Sequence, residues 1–306
     1  MTHIAPRTPR VGSSPSRERT RGERDGNYDE NREALESILA TREADEKNGG
    51  SPGRRNQARP TVSVVIPALN EAPNLPFVLP RIGSWVDEVI LVDGYSQDGT
   101  CLVARTLLPE IRVVRQLGHG KGAALRLGFE AAQGDIIVML DADGSTDPRE
   151  IPLFVGALAS GAEFVKGTRF AQGAGTADMS RLRRFGNRLL VFAVRVLFGG
   201  RCSDLCYGYM AFWKRVLPQL DLNVDGFEIE TQMSLKALSR GLRVAEVPSF
   251  EFRRIHGKSN LRTVRDGWRV LKTIVRERRQ LDRPRQYERR HLPGPEASFG
   301  SVGEHL

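Results

Sequence analysis

This sequence has little of what a disulfide scaffold, a spanning helix or a nucleic-acid reader requires. Cysteine occurs three times in 306 residues, at Cys101, Cys202 and Cys206. So sparse and odd a set excludes a disulfide framework and fits a reducing compartment. Cys202 and Cys206 stand four apart, but no His or further Cys completes a zinc tetrad nearby, so they read as two buried thiols. No apolar run approaches the roughly 18 residues that cross a bilayer. The opening MTHIAPRTPR contains no apolar stretch, which argues against a secretory leader. Aromatics make up 7% of the chain, and none form a platform interleaved with basic residues, so no nucleic-acid partner is expected.

What is present divides into three parts. Residues 1–59 are rich in Arg, Glu, Asp, Gly, Ser and Pro and nearly free of aromatic and β-branched side chains. Such a segment cannot bury enough apolar area to offset its ordering entropy and is expected to be a disordered tail, with a transient helix at most over Asn31 to Arg42. A single catalytic domain is expected over 60–275, and a basic, disordered tail over 276–306. The formal charge of +9 is uneven. Arg253 to His291 holds fourteen Lys or Arg against four acids, a local +10 that leaves about −1 for all other residues. That charge suits a solvated tail, an anionic lipid surface or an anionic substrate.

Between the tails, β-branched runs alternate with helical patterns. Val62 to Ile66, Glu88 to Val92, Ile111 to Arg115 and Asp135 to Leu140 read as strands, and 73–83, 98–108, 121–132 and 148–159 as helices. Continuous apolar strands alternating with helices indicate an α/β fold with a mostly parallel sheet covered on both faces. Ligands of such sheets bind beyond the carboxyl ends of the strands.

Those ends carry the polar residues. Asp141 and Asp143 follow the fourth run directly, and residues two apart on extended backbone face one side. Two carboxylates held together repel unless a cation lies between them, and hard Mg²⁺ or Mn²⁺ bridging to a diphosphate would fit. An ordinary acidic turn is the bland alternative. The segment Gly118 to Gly122 opens a helix; its glycines, Lys121 and free helix amides would suit an anion, although a tight turn with a solvent-facing Lys is as compatible. Neither GxxxxGK[ST] nor GxGxxG occurs, which removes the main support for an ATPase or a dehydrogenase.

The succession VSVVIPALNE, VILVDGYSQDGT, GKGAALRLGFEAAQGDIIVMLDADGSTDP and VKGTRF resembles family 2 glycosyltransferases of the Rossmann-like GT-A fold. SDLCYGYMAFWKR, DGFEIETQ and RRIHGKSNL are similar to the dolichyl-phosphate mannose synthase branch, which moves a sugar from a nucleotide donor to a polyprenyl phosphate. The resemblance spans about 62–275. It implies that Pro67, Leu69 and Glu71 contact the nucleoside, with Val92 and Asp93 at base and ribose. It implies that Asp141, Ala142 and Asp143 hold the diphosphate and metal, and that Arg169 and Arg254 bind donor or acceptor phosphate. The chain departs from the family at Leu69 (often Tyr), Gly94 (often Asp) and Asn260 (often Lys), with Lys258 placed to substitute for the last. Asp204 is expected to orient the site, and Glu228 and Glu230 to act as structural caps.

The resemblance further implies inversion at the anomeric carbon. No QxxRW motif of processive synthases is present, which fits a single transfer from GDP-mannose or a UDP-hexose to a lipid phosphate. Arg181 to Phe198 combines five Arg with an apolar stripe and reads as an interfacial helix whose Arg181, Arg183 and Arg184 meet head groups or the acceptor phosphate. A core-packing helix with a basic outer face is the competing reading. Together these give a cytoplasmic enzyme held peripherally on the inner membrane face. A soluble glycosyltransferase or sugar nucleotidyltransferase acting on a small-molecule acceptor, and a noncatalytic nucleic-acid or acidic-partner binder, stand as alternatives.

Overall fold

The computed structural model describes residues 59–199, 202–257 and 263–281. The greater part of both tails, including Asn31 to Arg42, and also Lys258 and Asn260, lie outside the described residues.

Each of the four apolar runs forms a strand: β1 (Val62–Ala68), β2 (Glu88–Asp93), β3 (Arg112–Arg115) and β4 (Ile136–Met139). Between and after them lie α1 (Leu75–Val78) with a 3-10 turn over Leu79–Arg81, α2 (Thr100–Leu107), α3 (Lys121–Ala131) and α4 (Ile151–Ala159). β1 runs through Pro67 to Ala68, two residues beyond the expected stop. β4 pairs with β1 only as far as Val65, so Pro67 has a neighbour on one side alone and its missing N–H breaks no ladder bond there.

The second half adds β5 (Phe164–Thr168), β6 (Gly175–Thr176), α5 (Arg181–Phe198), β7 (Met210–Trp213), α6 (Leu217–Leu220), α7 (Ile229–Ser239), β8 (Val244–Pro248), β9 (Phe250–Glu251) and α8 (Thr263–Leu281). The main sheet has the order β3-β2-β1-β4-β7-β5-β8. Only β7 runs antiparallel to its neighbours. This is the α/β, mostly parallel GT-A arrangement.

Alternation along the strands divides the core. Val64, Leu91 and Val138 pack on one face, and Val65, Ile90, Val92 and Ile137 on the other, all fully buried. Each such side chain contributes about 1.5–3 kcal/mol by leaving water. A third cluster ties α5, α7 and α8 together through Val191, Val194, Leu235, Val270 and Ile274. α8 continues to Leu281, past the expected domain limit at 275. Its Glu277 is buried against α7, 3.2 Å from Lys236 and accepting from Gln232 Nε2 at 2.7 Å, so the last turns belong to the folded unit.

Candidate active site

A cleft of about 1290 Å³ opens beyond the carboxyl ends of β1 and β4. Pro67, Leu69, Glu71, Lys121, Asp141, Ala142, Asp143, Arg169, Arg183 and Arg254 all line it, so most of the expected site residues converge. Its character changes along its length. One end is the charged rim of the sheet; the other is a trough between α5 and α8, walled by Leu189, Phe192, Val196, Trp268 and Leu271.

Asp143 sits where the chain turns, its Oδ1 accepting the Ser145 N–H at 2.9 Å. Gly144 makes the turn at φ 76°, a left-handed value that suits glycine. Arg254 spans Asp143 and Glu71, with Nη2 at 3.2 Å from Asp143 Oδ2 and Nη1 at 2.9 Å from Glu71 Oε1. Burial raises the Glu71 carboxyl despite its bonds from Asn74 and Arg254. Asp141 is pushed up to about 6, first by burial and then by the facing Asp143 and Glu230, with Lys121 opposing.

Glu71, Asp141, Asp143 and Glu230 thus face two cations, Lys121 and Arg254, an excess of two negative charges. That donor set fits a hard divalent cation. Among the described residues no group of three or more His, Cys, Asp or Glu is placed to hold a metal ion by itself. Two carboxylates with diphosphate and water oxygens would complete the shell in the manner usual for Mg²⁺.

The loop before α3 differs from expectation. Two of its helix amides are not free: the Asp225 carbonyl accepts Gly122 N–H at 2.7 Å and Ala123 N–H at 3.4 Å. A Cβ on Gly120 or Gly122 would collide with the backbone at Asp225 and Val224, so these glycines admit protein backbone rather than a phosphate. Nor does Lys121 face solvent. Its side chain is 11% exposed, and Nζ lies 2.6 Å from both Asp141 Oδ1 and Glu230 Oε1.

Arg169, at the end of β5, is 8% exposed. Its Nε and Nη2 donate to the two Asp204 oxygens at 2.7 and 2.9 Å, Nη1 to Glu251 at 2.9 Å, and Nη2 also to the Cys206 carbonyl at 3.2 Å. Four of the five guanidinium hydrogens are engaged. The Tyr207 ring lies beneath, 4.9 Å from the guanidinium carbon. Asp204 therefore orients Arg169.

Other expected residues stand apart. Val92 is fully buried in the core and Asp93 is 2% exposed, accepting the Ser96 N–H at 3.1 Å; both support the cleft from beneath without lining it. Arg181 is exposed outside the cleft, whereas Arg183 lines it, 3.7 Å from Asp178. Lys258 lies outside the described residues. Glu228 occupies the N-cap position of α7 but makes no capping bond, and Glu230 turns to Lys121 instead. Glu230, Glu251, Asn187 and Thr231 are site residues that sequence reasoning missed. Glu230 and Thr231 stand within the quoted DGFEIETQ segment and Asn187 within the Arg181 to Phe198 helix; Glu251 carried no signal. Asn187 Nδ2, Thr231 Oγ1 and Arg254 Nε, all on cleft-lining residues, are buried without a hydrogen-bond partner among the described residues.

α5 turns its apolar stripe outward. Leu182, Phe185, Leu189, Phe192 and Val196 are 59–67% exposed, while Asn187, Val191 and Val194 pack inward. A core-packing helix would bury that stripe. Among the described residues no helix is long and apolar enough to cross a membrane.

Residues 63–220 match the model of glycosyl transferase family 2. The chain belongs to that family. Glycosyltransferase AglJ of Haloferax volcanii is 34% identical over 248 residues, 79% of this chain and 76% of the relative. Polyprenol monophosphomannose synthase of Mycolicibacterium smegmatis is 31% identical, covering 64% of this chain and 83% of the relative. Among solved structures, glucosyl-3-phosphoglycerate synthase of Mycobacterium tuberculosis with Mn²⁺, UDP and glucosyl-3-phosphoglycerate superposes with a TM-score of 0.59 at 27% identity, covering 74% of this chain and 85% of that one. The chain is a family 2 glycosyltransferase of GT-A fold, similar to the polyprenyl-phosphate branch.

Proposed function

We propose that this enzyme transfers a sugar from a nucleoside-diphosphate sugar, GDP-mannose or a UDP-hexose, to a polyprenyl phosphate, with inversion. One observation carries the reading: a single cleft joins a charged strand-end rim to an apolar trough that opens beside the exposed stripe of α5. A nucleotide sugar suits the first and an isoprenoid chain the second. Relatives named as polyprenol and undecaprenyl-phosphate sugar transferases support the same acceptor.

Pro67, Leu69 and Glu71 border the nucleoside, and Lys121 and Arg254 receive the diphosphate. Arg254 Nε, buried and without a partner, gains an acceptor there. Asp141 and Asp143 would hold Mg²⁺ or Mn²⁺, which when bound supplies electrostatic stabilisation of the departing diphosphate. Arg183, the remaining Arg169 hydrogen, and the unpartnered Asn187 Nδ2 and Thr231 Oγ1 meet the acceptor phosphate. An oxygen of that phosphate forms the new bond to the anomeric carbon, on the face opposite the bond that breaks, whose electrons leave with the nucleoside diphosphate. The acceptor is already ionised near neutral pH, so no general base is required. Lys121, Arg254 and Arg169 are fixed positive charges that oppose the negative charge developing at both ends.

The folded catalytic unit is assigned to 60–281. α5 lies on a lipid surface as a peripheral anchor, apolar stripe inward to the acyl boundary and arginines at the head groups. The structural match to a synthase named for a phosphoglycerate product favours one second reading, a small anionic acceptor. Incubating the enzyme with labelled donors and either a short polyprenyl phosphate or 3-phosphoglycerate separates the two by the phase that takes up label.

A further inference from the structure

Lys121, Asp141 and Glu230 come from three distant places: the first residue of α3, the loop after β4 and the first turn of α7. They meet at one point on the cleft wall, with the Lys121 ammonium 2.6 Å from a carboxylate oxygen of each partner. The fold makes room for the meeting. Gly208 presses its α carbon against it, and a Cβ there would stand 2.6 Å from Glu230 Oε1, 3.0 Å from Lys121 Nζ and 3.1 Å from Asp141 Oδ2.

Stability alone is a poor reason for this cluster. A partly buried ammonium shared between two carboxylates leaves one negative charge unmatched, and such sites are often no more stable than apolar packing. A ligand account fits better. The Gly122 and Ala123 amides of α3 are already taken by the Asp225 carbonyl, so the Lys121 ammonium is the fixed positive charge this loop offers an anion. Of its three hydrogens, two serve Asp141 and Glu230, and one remains for an oxygen in the cleft. Asp141 has a second claim on it, from the diphosphate-bound cation assigned above. Among the described residues the Glu230 carboxylate is held by Lys121 alone, and it keeps its grip whichever way Asp141 turns.

We propose that Glu230 is a positioning residue that aims the Lys121 ammonium at the sugar-linked phosphate of the donor. The proposal rests on reading the charged rim as the nucleotide-sugar site. It makes Lys121 a group whose worth depends on the second phosphate: a nucleoside diphosphate feels it, a nucleoside monophosphate does not. Glu230→Gln keeps the size of the side chain and removes the charge that fixes the ammonium. Glu230→Asp keeps the charge and withdraws it by one methylene.

Calorimetric titration with GDP and GMP, and with UDP and UMP in parallel, gives the diphosphate-to-monophosphate affinity ratio. The full chain is used, with thermal melting as the check of folding. In the wild type the diphosphate of the preferred base is favoured, and Glu230→Gln lowers that preference about tenfold while monophosphate binding holds, the size of one charge-assisted hydrogen bond. Glu230→Asp falls between, and supplies the same comparison should the Gln variant fail to fold. In a Lys121→Met background Glu230→Gln changes the ratio no further, because the two residues act as one unit. kcat/KM for the donor falls by a similar factor, as loss of a contact to the bound diphosphate requires. An unchanged or increased diphosphate preference in Glu230→Gln, or a further loss in the Lys121→Met background, overturns the proposal. A wild type that binds no nucleotide instead overturns the reading of the rim itself, a separate outcome.

Discussion

Arg169 and Asp204 face each other edge to edge inside the protein, with Nε to Oδ2 at 2.7 Å and Nη2 to Oδ1 at 2.9 Å, Asp204 being wholly buried. Glu251 takes the guanidinium from the other side. Removing one partner of such a pair strands a buried charge, which costs roughly 3–5 kcal/mol. Asp204→Ala is therefore expected to lower the midpoint of thermal unfolding by on the order of 10 °C. A melt within a degree or two of wild type by circular dichroism contradicts this account of the pair.

Asp143→Asn keeps the side chain's size and its acceptance of the Ser145 N–H while removing a negative charge. Divalent-dependent turnover should fall at least about a hundredfold, the usual scale for losing an electrostatic contact to developing charge. The melting temperature should hold, since Asp143 is only partly buried. Chelation of the wild type should give the same loss, reversed by Mg²⁺ or Mn²⁺. Turnover of Asp143→Asn near wild type, with or without chelator, removes the metal role from this carboxylate.

Glu150 carries a pH dependence of stability. Burial raises its carboxyl above the ordinary value even though Ser249 Oγ and the Phe250 N–H bond to it. A raised carboxyl binds its proton more readily in the folded state than in the unfolded one. The stability it contributes is full below about pH 4.5 and is lost as pH rises through the folded-state value. Glu150→Gln keeps the polar contacts without the charge. Its melting temperature should match wild type near pH 4.5 and exceed it at pH 7–8; an equal gap at both pH values disproves the assignment.

How much of this was legible in the sequence depends on range. β1 to β4 and the helices between them were readable because a continuous β-branched run and a 3.6-residue period are local patterns. α5 was readable to its ends, with Ser180 accepting from the Arg183 N–H at one and Gly199 in a left-handed conformation at the other. What the pattern could not carry was which distant side chains meet. Glu230 reaches Lys121 across 109 positions, Glu251 reaches Arg169 across 82 and Arg254 reaches Glu71 across 183. The Gly122 and Ala123 amides of α3 looked free for the same reason, since the Asp225 carbonyl that takes them arrives from another part of the chain.

The membrane reading is tested on α5. Leu189→Ser with Phe192→Ser removes two exposed members of its stripe, and Arg181, Arg183 and Arg184 to Gln removes the basic edge. Co-sedimentation with phosphatidylserine-containing vesicles should weaken in both variants, by about fivefold per arginine at low salt and less as salt rises. The arginine variant should also raise the polyprenyl-phosphate requirement far more than the donor requirement. Unchanged vesicle binding and unchanged acceptor dependence in folded variants exclude α5 as the lipid-facing element.

The central claim is a sugar moved from a nucleotide to a lipid phosphate within one cleft. Its most direct measurement is phase partitioning of label after incubating the enzyme with Mg²⁺ or Mn²⁺, a short polyprenyl phosphate and radiolabelled GDP-mannose, UDP-glucose or a related donor in turn. With one of these donors, label should enter the organic phase in proportion to polyprenyl phosphate and be released by mild acid, with one nucleoside diphosphate formed per sugar moved. Label that stays in water with every donor, or that reaches the organic phase independently of added polyprenyl phosphate, contradicts the account.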